Sequence, residues 1–328
     1  MSRRIDSYPS TTSGRDGWIL EHRSPRATVD PWKPIFVGIE SEPSANGGIE
    51  RVLIMLLAGS ECPWRCVMCD LWKNTITEPM PQGAVPAQIN AGLAMAHGGL
   101  GASDIGAVKL YNSGSFFDRR SVPPADYHAI AQSISGFRRV IVECHPNLVD
   151  TGVLEFRDLL PGKLEVAMGL ETANPDVLAK LNKRLTRTQF VRSSEFLVNN
   201  AIDVRVFVLI QPPFTSPGTA VDDAIDSMQF AFDCGASIVA LIPTRAGNGA
   251  MEALAATGDF VRPRLTTVER TLEAAIKSRR GPVIADLWSL DQFADCPACF
   301  DARRLRLEKM NLTQSIQPPV TCAACGAR

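Results

Sequence analysis

The sequence predicts an α/β fold of parallel βαβ units, and three observations support that prediction. Six short apolar runs alternate along the chain with segments of helical periodicity, as in parallel strands joined by crossover helices. The runs are nearly continuous in apolar residues, as expected for strands that are covered on both faces. Polar segments follow these runs, at the end where parallel α/β folds place their chemistry. Six units suit a small complete α/β fold, an open doubly wound sheet or an incomplete (β/α) barrel, and periodicity does not separate the last two.

The predicted elements follow in regular order. Strands are predicted at Val52–Leu57, Ala107–Tyr111, Val140–Glu143, Leu164–Gly169, Val204–Ile210 and Ile238–Ile242. Helices are predicted at Ala87–His97, Ala125–Ser135, Val149–Leu159, Thr188–Asn200, Ala220–Cys234 and Thr266–Arg280. The segment VIADLW at 283–288 is a further strand or an edge segment. We expect an irregular N-terminal extension at 1–48, rich in Pro, Ser, Gly and charge, a core domain at 49–285, and a small C-terminal segment at 286–328.

Composition and charge narrow the function classes. The net charge of −1 gives no overall attraction to nucleic acid, so a site for a polyanion has to be a local patch. The N-terminus lacks the apolar segment of a signal peptide, and no apolar run reaches transmembrane length. We therefore expect a cytoplasmic protein with no membrane partner. Nine cysteines in such a chain bind metal or do redox chemistry more often than they form disulfides.

Three cysteines lie directly after the first predicted strand. The stretch CPWRCVMC contains Cys62, Cys66 and Cys69. Three thiolates exceed the two of a disulfide and fall short of the four N/S ligands of a closed zinc site. Thiolates also hold iron–sulfur clusters, and three ligands on a four-iron cluster leave one iron open to a small molecule. A zinc site or a chance cluster is the alternative, but zinc usually shows paired CxxC motifs, so the spacing favours an iron–sulfur cluster.

The CxxxCxxC motif after the first strand of a β/α repeat resembles the signature of radical S-adenosylmethionine (radical SAM) enzymes. The resemblance implies a partial (β/α)6 TIM-like barrel with a catalytic [4Fe–4S] cluster on Cys62, Cys66 and Cys69. It also implies that SAM binds the open iron. Reduction by a one-electron donor of the flavodoxin or ferredoxin type then cleaves SAM to methionine and a 5′-deoxyadenosyl radical, which abstracts a substrate hydrogen.

The same resemblance implies contacts to SAM at the ends of the later strands. Gly114 permits a close backbone approach to the amino group of SAM. Glu143 and Glu171 correspond to acids that hold the ribose or the amino group, and Lys183 corresponds to a basic partner of the carboxylate; capping and salt-bridging roles are the alternatives. Met68 is expected to pack on the adenine. The full set is Met68, Ser113, Gly114, Ser115, Glu143, Glu171, Lys183 and Gln211.

Several longer phrases narrow the resemblance to a substrate class. Residues 50–245 resemble the radical SAM subunit of archaeosine synthase and its bacterial relatives. The segments that carry this resemblance are YNSGSFFDRRSVP, VIVECHPNLV, LEVAMGLETANPDVLAKLNKRLT and VLIQPPFTSP. This branch also holds the Elongator-type radical SAM domain. The resemblance implies C–N lyase chemistry on a 7-deazaguanine base in tRNA, and a second subunit as partner. The alternatives are radical chemistry on a small metabolite or peptide, and a non-enzymatic metal-binding or nucleic-acid-binding adaptor.

Basic residues give little independent support for RNA binding. They cluster at 138–139, 183–187, 277–280 and 303–306. Such clusters are more often solvated helix ends than phosphate tracks. We therefore expect these charges to be solvated.

Two cysteine pairs lie near the C-terminus. CPAC provides Cys296 and Cys299, and CAAC provides Cys322 and Cys325. Two CxxC motifs are a strong signal for a four-ligand site, and they can close on a segment too small to build its own core. A structural zinc ribbon is the first interpretation. An auxiliary iron–sulfur cluster and redox-active or unliganded thiols are the alternatives.

Overall fold

The fold is described from a computed structural model, in which the placement of residues 7–44, 47–99 and 104–326 is defined. The strands are β1 (Phe36–Pro43), β2 (Ile49–Leu56), β3 (Gly59–Ser60), β4 (Thr75–Ile76), β5 (Ala107–Tyr111), β6 (Arg139–Cys144), β7 (Lys163–Glu171), β8 (Asp203–Ile210), β9 (Ile238–Pro243) and β10 (Val283–Ala285). The α-helices are α1 (Thr12–His22), α2 (Ala84–Gly99), α3 (Tyr127–Ser133), α4 (Thr151–Arg157), α5 (Pro175–Lys180), α6 (Arg187–Asn199), α7 (Ala220–Asp233), α8 (Ala250–Thr257), α9 (Leu265–Ser278) and α10 (Pro297–Thr313).

The main sheet has the order β1-β2-β5-β6-β7-β8-β9-β10 within the described residues. Neighbours from β2 to β10 pair in parallel, and β1 pairs antiparallel with β2 at one edge. The predicted α/β barrel-like class, with a C-terminal four-cysteine group, is confirmed. Because all these parallel strands point the same way, their carboxyl ends form a single rim.

Helix α10 packs against β1 and β10, the two edge strands of the sheet. The side-chain amide of Asn311 accepts a hydrogen bond from the backbone N–H of Ala285 and donates one to its carbonyl, both at 2.8 Å. One turn later, Gln314 makes the same pair of bonds to Val283, at 2.9 and 2.8 Å. Two amide side chains therefore satisfy the polar backbone edge that β10 would otherwise present to another strand.

Each of the six predicted strands is found with its limits shifted by at most three residues, and the segment at 283–288 contributes β10. The expectation of an irregular N-terminal extension is wrong for α1 and β1. Thr11 caps α1 by accepting a hydrogen bond from the Gly14 N–H at 3.3 Å. Strand β1 is hidden in the sequence because its inward residues are charged, which breaks the apolar run.

A network of buried ion pairs fills the interior of the barrel. Arg205 donates to both carboxylate oxygens of Glu42, at 2.6 and 2.9 Å, and to Glu165 at 2.6 Å. Lys109 donates to Glu42 at 2.6 Å, and Arg139 pairs with Glu165. Each of the five side chains is at most 9% exposed. Burial alone would raise the pKa of Glu42, but Arg205 and Lys109 outweigh it and hold that pKa well below its ordinary value.

Several residues of the basic clusters are buried rather than solvated. Arg139 and Lys183 lie in the barrel, and Arg303 and Arg306 lie on the inner side of α10. Arg303 and Arg306 pair with carboxylates of α9, Glu269 and Glu273. The expectation of solvated charge is wrong for these four residues, because each has an acidic partner far away in the sequence.

None of the helices in the described ranges combines the length and the apolar character that crossing a bilayer requires.

Candidate active site at the carboxyl ends of the strands

An open cleft with a cavity volume of about 140 Å³ lies at the carboxyl rim. The predicted site residues that line it are Cys62, Cys66, Met68, Cys69, Ser113, Gly114, Ser115, Glu143, Glu171 and Lys183. Gln211 is not part of this lining. It is buried at the end of β8, and its amide donates to the Val261 carbonyl at 2.6 Å. The structure therefore brings together residues from the β2 loop and from the ends of β5, β6 and β7.

The cysteine loop follows β2 through a tight approach to the neighbouring strand. Gly59 pairs with Thr75 in the short parallel β3–β4 ladder. A Cβ at Gly59 would lie 2.3 Å from the Asn112 carbonyl oxygen and 2.6 Å from Ser121 Oγ. Only glycine fits there, because a Cβ at 2.3 Å from a backbone oxygen is far inside van der Waals contact.

Two asparagines from distant loops hold the cysteine loop by its carbonyl groups. Asn248 Nδ2 donates to the carbonyls of Val67 and Cys69, at 2.8 and 3.0 Å. Asn182 Nδ2 donates to the Arg65 carbonyl at 2.8 Å. The loop is thereby fixed from two sides, by the segment before α8 and by the segment between α5 and α6.

The N-terminal segment contributes a further clamp. Glu61, directly before the first cysteine, forms ion pairs with Arg23 at 2.7 Å, with Arg65 at 3.3 Å and with Arg26. Burial alone would raise the pKa of Glu61, but the arginines outweigh it and lower that pKa. Arg23 also lies over the ring of Trp72, 4.5 Å from its centroid, and lines the cleft. The first turn of the cysteine loop is therefore held by charge from outside the predicted core.

The three thiols of the cysteine loop share one cleft. Cys62, Cys66 and Cys69 lie on a single loop, and each is half-buried. A closed zinc site takes four N/S ligands, whereas a four-iron cluster accepts three thiolates and leaves one iron open. Three thiols on one loop therefore match the donor set of the cluster that the sequence implies.

Burial raises the pKa of each of these thiols to about 12. Lys183 acts in the opposite direction but does not outweigh burial, so at neutral pH the thiols are protonated in the absence of a metal centre. A metal centre reverses this balance, since coordination deprotonates a thiol. The donor set and its surroundings therefore fit the group that the sequence implies.

Three strand-end residues of the predicted site have left-handed backbones. Ser113, Glu171 and Gln211, which follow or end β5, β7 and β8, have φ angles of 58°, 68° and 55°. A residue with a side chain pays about 1–2 kcal/mol for this conformation. Such strain concentrates where a chain must turn its backbone groups toward a ligand, and all three of these residues lie on the rim.

Glu143 is the penultimate residue of β6 and faces the turn that follows β5. The Gly114 N–H donates to Glu143 Oε1 at 3.3 Å, and the amides of Asn112 and Ser113 also point at this carboxylate. Burial raises the pKa of Glu143 to about 7 although these amides act in the opposite direction. The carboxylate of Glu143 is therefore held by backbone amides, and an ammonium group in the cleft would add a cationic partner.

Glu171 and Lys183 form an ion pair across the cleft wall at 2.7 Å. Burial alone would lower the pKa of Lys183, but Glu171 outweighs it and raises that pKa. A Cβ at Gly169 would lie 2.3 Å from Glu171 Oε1 and 2.6 Å from Lys183 Nζ. The absence of a side chain at Gly169 therefore makes room for the pair.

Trp64 stacks on His145 beside the pair, with ring centroids 3.7 Å apart and planes inclined by 12°. His145 Nδ1 accepts a hydrogen bond from the Asn147 N–H, so Nε2 carries the proton that it donates to the Lys183 carbonyl at 3.0 Å. Burial lowers the pKa of His145 to about 2, which keeps the ring neutral. This stack is a fixed wall of the cleft.

Known proteins resemble this chain over much of its length. No family model matches it. An uncharacterized protein of Methanocaldococcus jannaschii is 25% identical over 311 residues, which cover 90% of this chain and 85% of that protein. The archaeosine synthase subunit beta of Methanosarcina acetivorans is 27% identical over 240 residues, which cover 70% of this chain and 68% of that subunit.

Solved structures share the architecture at low sequence identity. Methylornithine synthase has a TM-score of 0.52 and 12% identity over 79% of this chain and 68% of its own. A radical SAM methyltransferase from Sphaerobacter thermophilus has a TM-score of 0.51 and 15% identity over 78% of this chain and 77% of its own. The chain has the radical SAM fold. The predicted resemblance to radical SAM enzymes and to archaeosine synthase subunit beta is thereby confirmed.

Some lining residues of this radical SAM fold escaped sequence reasoning. Phe207 is two residues after Arg205 on β8, so period-2 alternation would have placed it inside the barrel. Trp64 lies within the cysteine motif itself, and its position between two cysteines was the available signal. Arg23 carried no local signal, because only the folded chain brings it to the cleft.

Proposed function

We propose that this chain is a radical SAM enzyme that modifies a tRNA base by archaeosine-synthase-like C–N lyase chemistry. The observation that carries the proposal is the shared cleft: three cysteines of a CxxxCxxC loop face strand-end groups of β5, β6 and β7. The CxxxCxxC spacing favours a four-iron cluster over a zinc site, which usually shows paired CxxC motifs. The radical SAM fold and the similarity to archaeosine synthase subunit beta support the same reaction class.

In this proposal Cys62, Cys66 and Cys69 hold a [4Fe–4S] cluster. SAM is held by the remaining predicted residues, which are Met68, Ser113, Gly114, Ser115, Glu143, Glu171, Lys183 and the backbone at Gln211. When bound, the reduced cluster and SAM supply a 5′-deoxyadenosyl radical for hydrogen abstraction. The protein contributes orientation and the exclusion of water.

The residues of the cleft suit these tasks. Glu143 is a half-buried carboxylate, and its hydrogen-bond partners in the described residues are backbone amides, which suits an ammonium group. Lys183 is a buried positive charge that is paired with Glu171, and a carboxylate that enters the cleft would share this charge. Phe207 and Ala167 form an apolar floor, and the Trp64–His145 stack forms a wall. A floor and wall of this kind keep water from the reacting atoms.

Charge distribution favours a second subunit for recognition of tRNA. The net charge is −1, and Arg139, Lys183, Arg303 and Arg306 are occupied in buried ion pairs. The relative from Methanosarcina acetivorans is itself named a subunit. We therefore propose that a partner subunit supplies much of the phosphate contact, and that a flavodoxin-type or ferredoxin-type protein supplies the electron.

Cleavage of SAM is the first test. Anaerobically reconstituted protein is given SAM and dithionite, and 5′-deoxyadenosine is measured by chromatography. We expect product from the wild type and from a Cys234→Ala control, and none from the triple variant of Cys62, Cys66 and Cys69 to Ala. The triple variant should also lose about four irons per chain. Full iron content in the triple variant would overturn the assignment of the cluster.

The substrate needs a separate test. tRNA that carries a lysine adduct on its 7-deazaguanine base is added, with unmodified tRNA as control, and the base is analysed by mass spectrometry. We expect conversion of the adduct, with 5′-deoxyadenosine formed in step with it. SAM cleavage at the same rate with and without either tRNA would indicate that the substrate is a metabolite or a peptide. Intact iron without any SAM cleavage would indicate an adaptor.

A further inference from the structure

We propose that Cys296, Cys299, Cys322 and Cys325 bind a single zinc ion, which fastens the C-terminal tail to α10. The proposed radical chemistry does not use these four residues, so this inference stands apart from it. The observation behind it is that the four sulfurs converge on one point beside the barrel.

The spacing of the sulfurs fits one ion. All four Sγ atoms lie within 4.8 Å of one another, and the Cys299 and Cys325 sulfurs are 3.9 Å apart. Tetrahedral zinc with zinc–sulfur distances near 2.3 Å requires sulfurs about 3.8 Å apart. A disulfide requires about 2.05 Å, so the Cys299–Cys325 contact is no bond. A four-iron cluster holds each thiolate on a separate iron and needs a wider separation of the sulfurs.

The ligands come from two structurally different places. Cys296 and Cys299 are buried at the N-terminus of α10, where Cys296 is the N-cap residue. Cys322 is half-buried and Cys325 is exposed, both on the tail that follows the helix. The backbone amides of Ala324 and Cys325 point at the Cys322 sulfur, as in the knuckles that hold structural zinc. One pair of ligands is therefore anchored to the barrel and the other pair is carried by the tail.

The tail has little else to hold it. It turns at Gln314, which has a φ of 50°, and runs back along α10. Arg306 donates to the carbonyls of Gln317 and Pro318, at 2.7 to 3.1 Å. Ile316 is 40% exposed, so apolar burial contributes little along this path. A metal–thiolate centre supplies the free energy that such a segment lacks.

The zinc centre also bears on the barrel through α10. The helix begins at the metal ligands and ends beside Gln314, whose amide covers the edge strand β10. Fixing both the start of α10 and the tail that returns along it limits the movement of this helix. The predicted role of the zinc is therefore structural, at the seam between β1 and β10.

Metal analysis tests the proposal. Zinc, iron and acid-labile sulfide are measured per chain in full-length protein purified anaerobically. The variant is Cys322→Ser/Cys325→Ser, which alters the tail and leaves the buried pair in place; the control is Cys234→Ala. We expect about one zinc per chain in the wild type and the control, and less than a tenth of that in the variant, with iron unchanged. Loss of iron and sulfide instead of zinc, or equal zinc in all three proteins, would overturn the proposal.

Two further readouts are independent of enzyme activity. Protein grown with Co²⁺ should show the intense visible bands of a tetrahedral thiolate site, and the variant should lack them. Subtilisin should cleave the tail about tenfold faster in the variant, because the tail opens more often once it is released. Equal cleavage rates, together with retained cobalt bands, would show that the four cysteines do not fasten the tail.

Discussion

Replacing Arg205 by Met tests whether the ion network stabilises the barrel. The substitution keeps a long side chain and removes the guanidinium that serves Glu42 and Glu165. After it, Glu42 retains Lys109 at 2.6 Å and a weaker contact to Arg139 at 3.3 Å, while Glu165 retains its contact to Arg139. Removing one partner of a buried pair costs about 3–5 kcal/mol, because the other charge stays buried.

The cost converts to a shift in melting temperature. An unfolding entropy of about 2.1 cal/mol/K per residue gives about 0.7 kcal/mol/K for a chain of this length. A loss of 3–5 kcal/mol therefore lowers the Tm by about 4–7 °C. Thermal melts followed by circular dichroism on anaerobically prepared apoprotein measure this directly. Arg138→Met is the matched control; that side chain is 77% exposed, so we expect a change of less than about 1 °C.

The Tm difference between wild type and Arg205→Met should depend on pH. In the wild type Arg205 and Lys109 hold the pKa of Glu42 well below its ordinary value, so its contribution to stability is present above that ordinary value and is lost only in strong acid. Without Arg205 the folded pKa of Glu42 rises, and near pH 5 the carboxyl can take up a proton instead of remaining a buried charge. The Tm difference should therefore be largest at pH 7 and smaller at pH 5. A difference below 1 °C at pH 7, or one that does not change with pH, would refute the reasoning.

Three further predictions concern single contacts. Asn248→Ala removes two hydrogen bonds to the cysteine loop, about 2 kcal/mol together, and should speed iron release to a chelator several-fold without changing the circular dichroism spectrum. Asn311→Ala/Gln314→Ala uncovers the edge of β10 and should raise light scattering during mild heating, while either single variant should have a smaller effect. Gly59→Ala should yield little soluble protein because its Cβ meets a backbone carbonyl at 2.3 Å, whereas Gly17→Ala, with open space around it, should express and melt as the wild type does. Normal solubility of Gly59→Ala would contradict the close approach.

Sequence reasoning found the elements whose signals are local. Apolar runs and helical periodicity predicted the six parallel strands and most of the helices between them, although α5 and α8 were missed, and cysteine spacing predicted the C-terminal four-cysteine group. The interior network was missed although its signal was present. Lys109, Arg139, Glu165 and Arg205 are charged residues inside or at the start of apolar runs, at positions that face inward. Averaging hydropathy over a run conceals such single inward charges.

Other features had no local signal. The role of Arg23 at the cleft depends on Glu61, 38 residues away, and the buried state of Arg306 depends on carboxylates of α9. Strand β1 could not be recognised from its own residues, because its inward-facing residue Glu42 is charged. The buried carboxylate of Glu42 is stabilised by Lys109, Arg139 and Arg205, which lie on three other strands. In each case the position of the residue depends on an oppositely charged partner far away in the sequence. A short segment of sequence never contains both partners, so its pattern cannot predict the pair.

Helix α10 lies between the two edge strands of the main sheet. A helix, about 10 Å across, stands where a closed barrel would have one more strand. Closure on the β10 side depends on four side-chain hydrogen bonds from Asn311 and Gln314 and not on a backbone ladder. Two side chains therefore decide whether this edge is covered, and substituting them would expose it while every backbone ladder of the sheet stays intact.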